Sequence, residues 1–111
     1  MATYTPKKGD FIYLNFSPQA GHEQKGRRPA LVVSNDLFNE GTGLAIVCPV
    51  TNTNRNNPFH LPLPVGSKLT GFVMVEQVKS YDYRARNADF VEHAPEDLLA
   101  DALAILDACL K

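Results

Sequence analysis

The chain has 111 residues and a mass of 12.2 kDa, enough for one hydrophobic core, so we expect a single domain over residues 1–111. Hydrophobic residues make up 44% and charged residues 21%, an ordinary globular composition that argues against a disordered chain. The net charge of −1 is unevenly distributed, with +4 over residues 1–88 and −5 over residues 89–111, so a cationic patch for a phosphate backbone is not excluded.

The first third of the chain predicts two strands with a polar loop between them. Residues 10–16 (DFIYLNF) alternate and are rich in aromatic and β-branched side chains, which is typical of a strand. Residues 17–27 are polar and contain proline and glycine, so they predict a long loop. Pro29 suits the start of a second strand over residues 30–34, and residues 35–39 resemble one helical turn behind an Asn/Asp cap.

The middle of the chain predicts further strands. Residues 44–50 (LAIVCPV) form an apolar run that is short and rich in β-branched side chains, which indicates a buried strand. Residues 51–58 (TNTNRNNP) form a second polar loop, and the prolines around residues 60–63 favour an edge strand there. Additional short strands are predicted over residues 71–77, 79–83 and 88–92.

The C-terminal segment has the periodicity of a helix. Pro95 suits a first helical turn, and Glu96 and Asp97 complement the positive end of the helix dipole. Apolar side chains then recur every three or four residues and share one helical face: Leu98, Leu99, Ala102, Leu103, Leu106, Cys109 and Leu110. Short strands followed by one amphipathic helix predict a mainly β fold, a small bent β-barrel with a C-terminal helix covering it.

The two cysteines, Cys48 and Cys109, are too few for a disulfide scaffold, and both lie in apolar contexts. We expect them to be buried thiols in a reducing cytoplasm. The N-terminus has no apolar signal region, and no apolar run approaches the roughly 20 residues of a membrane span. The sequence therefore predicts a cytoplasmic protein.

The segment over residues 21–28 (GHEQKGRR) is similar to two known motifs and satisfies neither. A phosphate-binding loop requires Lys and Ser/Thr where this chain has Arg27 and Arg28, and it requires a helix where Pro29 and a β-rich run follow. The second histidine of a zinc HExxH motif would fall at Gly26. The other histidines also lack ligand spacing, so we expect no metal site and no cofactor.

Two polar loops carry groups suited to chemistry on a phosphodiester. The first contains Glu23, Arg27 and Arg28, and the second opens with Thr51 and continues with asparagines and Arg55. If both loops lie on one face of the sheet, they combine a carboxylate, guanidinium groups, a hydroxyl and amides. The alternative, which composition alone favours, is two solvated loops with ordinary surface charges.

Six segments together resemble one known family. They are Lys8-Gly9-Asp10, the block Gly21-x-Glu23-Gln24-x-Gly26-x-Arg28-Pro29-Ala30, Asn35-Asp36, Pro49-Val50-Thr51, Glu76-Gln77-Val78-Lys79-Ser80 and Ala94-Pro95-Glu96. In this order they resemble the MazF/PemK family of bacterial toxin endoribonucleases, also called mRNA interferases. The resemblance covers nearly all of the chain.

The resemblance implies a single toxin domain with an SH3-like or CcdB-like β-barrel, which works as a homodimer and cuts single-stranded RNA without a metal. It also implies a type II toxin–antitoxin system, with a small MazE-like antitoxin as partner. Arg28 and Thr51 fall on the central catalytic pair, with Glu23 beside them. Further matching positions imply RNA contacts, although core or dimer packing could use several of them: Gln24, Asn35, Glu76, Gln77 and Lys79. The two loops add Arg27, Asn52 and Arg55 as candidate RNA contacts.

The chemistry of RNA cleavage suits these residues. The 2′-OH attacks the adjacent phosphorus and expels the 5′-oxygen, so the enzyme must accept a proton and stabilise the phosphorane. Arg28 can clamp the non-bridging oxygens through two N–H groups, and Thr51 can donate a further hydrogen bond. Because the pKa of arginine is above 12, we assign proton acceptance to Glu23. Loop asparagines and Gln77 can read the edges of unpaired bases.

Two other classes share the expected fold. The first is a CcdB-like toxin that binds DNA gyrase without cutting RNA, and the second is an SH3-like peptide-binding module. Both commonly use an exposed tryptophan, and this chain contains none. The combination of Glu23, Arg28 and Thr51 favours the ribonuclease.

Overall fold

The computed structural model describes residues 4–16 and 26–111. Seven strands, two helices and one 3-10 turn form the described part of the chain. The strands are β1 (Asp10–Asn15), β2 (Arg27–Val32), β3 (Leu44–Thr51), β4 (His60–Pro62), β5 (Phe72–Met74), β6 (Lys79–Asp82) and β7 (Asp89–His93). The helices are α1 (Asp36–Thr42) and α2 (Glu96–Cys109), and the 3-10 turn covers Val75–Gln77.

All strand pairs are antiparallel. The order along the sheet is β4-β5-β3-β2-β1-β7, and β6 pairs with β3 beside β5. The predicted mainly β fold with a C-terminal helix is confirmed, and the path of strands is open between β4 and β7 in the part of the chain described.

The alternation of side chains along β1, β2 and β3 divides the apolar residues between two faces. One face joins Phe11, Leu31 and Cys48 to the buried side of α2. The opposite face holds a second cluster, which includes Leu14 and Tyr83. Burial on both faces explains why residues 44–50 read as a continuous apolar run.

Helix α2 packs on the sheet through its N-terminal half. Leu98 and Ala102 are buried, whereas Leu110 is 84% exposed and Cys109 is exposed. The prediction that Cys109 is buried is therefore wrong, because the last turn of the helix extends past the apolar cluster. Cys48 is buried as predicted, and burial, with a smaller contribution from the nearby carboxylate of Glu76, raises the pKa of its thiol to about 12.

Helix α1 is longer than the single turn predicted. The side chain of Asn35 accepts a hydrogen bond from the Phe38 amide at 2.8 Å and caps the N-terminus. Gly43 ends the helix with a φ of 76° and donates to the Asn39 carbonyl. The N-terminal cap agrees with the sequence prediction, whereas the second turn and its end at Gly43 were not predicted, because the residues between the caps are largely polar.

A bulge interrupts the predicted strand over residues 71–77. Val50 pairs with Val73, and Val47 pairs with Lys79, so five residues after Val73 occupy the space beside two residues of β3. The chain accommodates the excess by ending β5 at Met74 and turning through Val75–Gln77. This 3-10 turn projects from the sheet between β5 and β6 and carries two of the predicted RNA contacts.

Candidate active site

The β2–β3 ladder ends two residues from Arg28 and two residues from Thr51. Ala30 pairs with Pro49, and the ladder continues regularly through Val32 and its partner Val47. Extended two residues in the other direction, the same register sets Arg28 opposite Thr51. Residues opposite each other on antiparallel strands project from the same face. Both residues were expected in polar loops, and that placement is wrong: Arg28 belongs to β2 and Thr51 is the last residue of β3.

The side chain of Thr51 is held in a defined position. Thr51 is only 8% exposed, and its Oγ1 accepts a hydrogen bond from the Thr53 amide at 3.2 Å. The hydroxyl keeps its own proton, which it can donate to a substrate oxygen.

Gly71 makes this position of Thr51 possible. Its φ is 115°, and a Cβ at this residue would lie 2.3 Å from the Thr51 carbonyl oxygen and 3.0 Å from Oδ1 of Asn52. Only glycine permits both the backbone conformation and the close approach. Asn52 is held in addition by the Thr70 hydroxyl, which donates to its Oδ1 at 2.9 Å.

Arg28 is exposed and has no ion pair or hydrogen bond to any side chain in residues 4–16 and 26–111. Arg27 differs, because alternation along β2 puts it on the other face. Its Nη2 lies 2.5 Å from Oδ2 of Asp89, its Nη1 donates to Asn15 at 3.1 Å, and its guanidinium lies over the ring of Tyr13. The side chain of Arg27, a predicted RNA contact, is thus bound within the protein and lies on the face opposite to Arg28 and Thr51.

Two predicted site residues, Glu23 and Gln24, lie outside the described residues. The described residues on either side of them lie beside Arg28, since Asn15 pairs with Arg27 and the Phe16 amide donates to the Gly26 carbonyl at 2.7 Å. The structure therefore places the two points at which the predicted loop begins and ends next to the candidate site.

Arg86 binds the main chain just before the predicted loop begins. Its Nη1 donates to the carbonyls of Asn15 and Phe16 at 3.1 and 2.8 Å, and its guanidinium lies 5.0 Å from the centre of the Tyr81 ring. The rings of Phe16 and Tyr81 are 4.9 Å apart. Nothing in the spacing of Arg86 indicated this function, because its partners are main-chain oxygens 70 residues away in sequence.

The remaining predicted contacts lie at three places. Asn52 and Arg55 belong to the exposed loop that follows Thr51. Lys79 begins β6, with its Nζ 5.7 Å from the centre of the Tyr81 ring. Asn35 lies beyond the far end of β2, where its side-chain oxygen caps α1, and the fold does not bring it to Arg28 within one chain.

Glu76 and Gln77 lie on the 3-10 turn. Glu76 is held by His60, a contact that the sequence did not indicate. Oε2 of Glu76 lies 2.9 Å from Nε2 of His60, the first residue of β4. Partial burial acts to raise the pKa of Glu76, but the hydrogen bond from His60 and contacts with its own backbone and the Gln77 side chain outweigh it, so the pKa lies below its usual value. The carboxylate is therefore ionised at neutral pH.

In the part of the chain that the structure describes, no three His, Cys, Asp or Glu side chains are grouped so that they could hold a metal ion. Among the same residues, no helix is long and apolar enough to cross a membrane.

Comparison with known proteins extends the resemblance seen in the sequence. A profile of the family described as PemK-like, MazF-like toxin of type II toxin–antitoxin system matches residues 7–110. The endoribonuclease toxin MazF of Escherichia coli (strain K12) is 39% identical over 88 residues, which cover 79% of this chain and 78% of that protein.

Two solved structures from Deinococcus radiodurans are similar over almost the whole chain. MazF superposes with a TM-score of 0.88 at 44% identity, covering 97% of this chain and 98% of that one. A MazE–MazF complex matches with a TM-score of 0.88 at 41% identity, covering 96% and 97%.

These matches define the class of protein as the toxin endoribonucleases, because both the fold and more than a third of the residues agree over most of each chain. The chain belongs to the PemK-like, MazF-like toxin family of type II toxin–antitoxin systems. The predicted family and fold are thereby confirmed, and the gyrase-binding alternative is not favoured.

Proposed function

We propose that this toxin cleaves single-stranded RNA at short sequences without a metal ion, with Arg28 and Thr51 as the central catalytic pair and Glu23 beside them. The observation that carries the proposal is the β2–β3 register. Continued two residues past Ala30 and Pro49, this register would set Arg28, which has no partner among the described side chains, opposite the Thr51 hydroxyl, which Gly71 and the following loop hold.

The reaction is an in-line displacement at phosphorus. The 2′-OH of one nucleotide attacks the adjacent phosphorus, its proton passes to Glu23, and the P–O5′ bond breaks. Arg28 donates two N–H bonds to the non-bridging oxygens as negative charge accumulates there, and Thr51 donates a third. The departing 5′-oxygen takes up a proton from solvent water, so the product ends are a 2′,3′-cyclic phosphate and a 5′-OH.

The residues around the catalytic pair suit an unpaired strand. Asn52 and Arg55 follow Thr51 directly, Glu76 and Gln77 project on the 3-10 turn beside β3, and Lys79 begins the strand that follows. Gln24 lies in the loop attached beside Arg28. Together they offer phosphate contacts and hydrogen-bonding groups for base edges.

For Arg27 and Asn35 we propose at most peripheral RNA contact, because their polar groups are already engaged.

The proposal includes partners. MazE accompanies MazF in the Deinococcus complex, and we propose an equivalent MazE-like antitoxin for this chain, with an acidic and apolar tail that covers the cationic RNA site. We also propose a homodimer, which would bury apolar surface that a chain of this size leaves exposed. The site of action is the cytoplasm, where messenger RNA is translated.

The test is to incubate the purified protein with a long single-stranded RNA in excess EDTA and to map the 5′ ends of the products. We expect cleavage at a small set of short sequences. A folded protein that leaves the RNA intact would contradict the proposed function, and activity that requires a restored divalent ion would contradict the metal-free mechanism.

A further inference from the structure

His60 has an environment that folding alone does not explain. The residue is 8% exposed, and the ring donates from Nε2 to Glu76 at 2.9 Å, since a carboxylate can only accept. The other ring nitrogen, Nδ1, is buried without a hydrogen-bond partner among the described residues. An unpaired buried nitrogen costs stability that an apolar side chain in the same place would not. The contact with Glu76 is what a histidine provides here.

The 3-10 turn that bears Glu76 is supported by the burial of Val75 in the core and by this contact. Met74 caps the turn without any side-chain hydrogen bond. Its main-chain support consists of the Val75 amide donating to the Phe59 carbonyl and the Val78 amide donating to the Val75 carbonyl, both at 3.2 Å. The bond from His60 adds an anchor from a strand 16 residues earlier. It therefore fixes the direction in which the Glu76 carboxylate projects.

The turn is close enough to the catalytic pair to contact the same RNA. It lies beside Cys48 and Pro49 of β3, two or three residues before Thr51, which is about 7–10 Å along the strand. The Glu76 side chain is 29% exposed. Its Oε2 is bound to His60, and the exposed part of the carboxylate is what a neighbouring nucleotide can reach.

We propose that His60 is a positioning residue for base selectivity: it orients Glu76 as a fixed acceptor for a base that carries an exocyclic amino group. This inference rests on the proposed function. A carboxylate accepts hydrogen bonds only, so it pairs with the amino groups of cytosine, adenine or guanine. Uracil presents a single N–H flanked by two carbonyl oxygens, which repel the carboxylate.

The experiment measures kcat/KM on short RNAs that differ by one base at each position around the cleaved bond. For the wild-type protein we expect one position where an amino-bearing base is preferred to uracil by about 10-fold, as for one hydrogen bond to a charged group. His60→Leu should reduce this preference to within about 3-fold, while kcat changes little. His60→Gln, whose amide can reach the position of Nε2, should retain most of it.

Three further variants separate positioning from a general effect on folding. Glu76→Ala, on the exposed turn, should lose the same preference, and the double variant with His60→Leu should lose no more. His93→Leu is the matched control, because it removes a bond of similar length, 2.8 Å from Nδ1 to Asp10, at the β1–β7 edge. It should change the melting temperature and leave base preference unchanged.

The outcomes distinguish this inference from the function on which it rests. If the wild-type protein does not cut RNA, the proposed function fails. If it cuts RNA and shows no preference for an amino-bearing base at any position, or if folded His60→Leu and Glu76→Ala proteins keep the wild-type preference, the assignment of His60 and Glu76 to base selectivity is overturned and the proposed function stands.

Discussion

Two adjacent arginines of β2 have opposite surroundings. Arg27 is held by Asp89, Asn15 and the ring of Tyr13, and it ties β1 and β2 to β7. Arg28, on the other face, has no such partner among the described residues and lies opposite Thr51 by register. Residue type and strand position alone therefore do not define a site. The donors of Arg28, which no described side chain engages, can bind charge as it develops on a substrate, whereas those of Arg27 contribute to the fold.

The largest effect is expected at Arg28. Arg28→Ala should lower kcat by about 10²–10³ with an unchanged melting temperature, because it removes transition-state stabilisation and no contact within the described fold. Arg28→Lys should restore only part of the rate, since an ammonium cannot form the two parallel bonds. Single-turnover cleavage assays measure both variants. A folded Arg28→Ala protein with wild-type cleavage would invalidate the distinction between the two arginines.

Gly71→Ala tests whether Thr51 is held as the structure indicates. The added Cβ would meet the Thr51 carbonyl at 2.3 Å with a φ of 115°, so we expect a loss of about 2–3 kcal/mol in unfolding free energy and reduced cleavage. Gly66 is the control, because its φ is 97° with no atom within 4 Å of a Cβ. Gly66→Ala should cost about 1 kcal/mol through backbone strain and spare cleavage. Equal effects of the two changes on cleavage would refute the contact argument.

Thr51→Ala should reduce kcat by about 10-fold, the value of one hydrogen bond to an oxygen that becomes charged. Thr51→Ser keeps the hydroxyl and should stay within about 3-fold of the wild type. Cleavage rates at saturating RNA measure the difference. If the serine variant is as impaired as the alanine variant, the hydroxyl is not the group that acts.

The smallest effects are expected at the engaged arginine. Arg27→Ala should raise KM for RNA by about 3-fold or less and leave kcat unchanged, because surface ion pairs contribute little and phosphate contacts are screened. Asp89→Asn removes the competing anion, so KM should fall slightly at low salt and the difference should disappear as salt rises. A large loss of kcat in Arg27→Ala would show that this arginine belongs to the catalytic site.

Much of the fold could be predicted from the sequence, because strand alternation and helical spacing are local signals. Strand β3 is one example, in which burial on both faces accounts for the apolar run over residues 44–50. The 3-10 turn could not be predicted, since it results from an excess of residues between two ladders that only the register reveals. In the sequence, the alternation of apolar and polar side chains continues across residues 71–77, so it gives no sign of the turn at Val75–Gln77.

For the candidate site, family motifs singled out Arg28 and Thr51, and this pair stays a prediction that the β2–β3 register supports when it is continued two residues past Ala30 and Pro49. The sequence could not show that Asp89 engages Arg27 from 62 residues away, that Gly71 touches the Thr51 carbonyl, or that His60 supports Glu76. Each of these contacts joins segments whose proximity is a property of the folded sheet.

A modified substrate tests whether a 2′-OH attacks the phosphorus at a site formed by Arg28 and Thr51. A short RNA containing one wild-type cleavage site is compared with the same RNA carrying a single 2′-deoxy nucleotide immediately before the cleaved bond. We predict cleavage of the first, in EDTA, to a 2′,3′-cyclic phosphate and a 5′-OH end, and no cleavage of the second. Cleavage of the 2′-deoxy substrate at the same bond, or products with a 5′-phosphate, would contradict the mechanism.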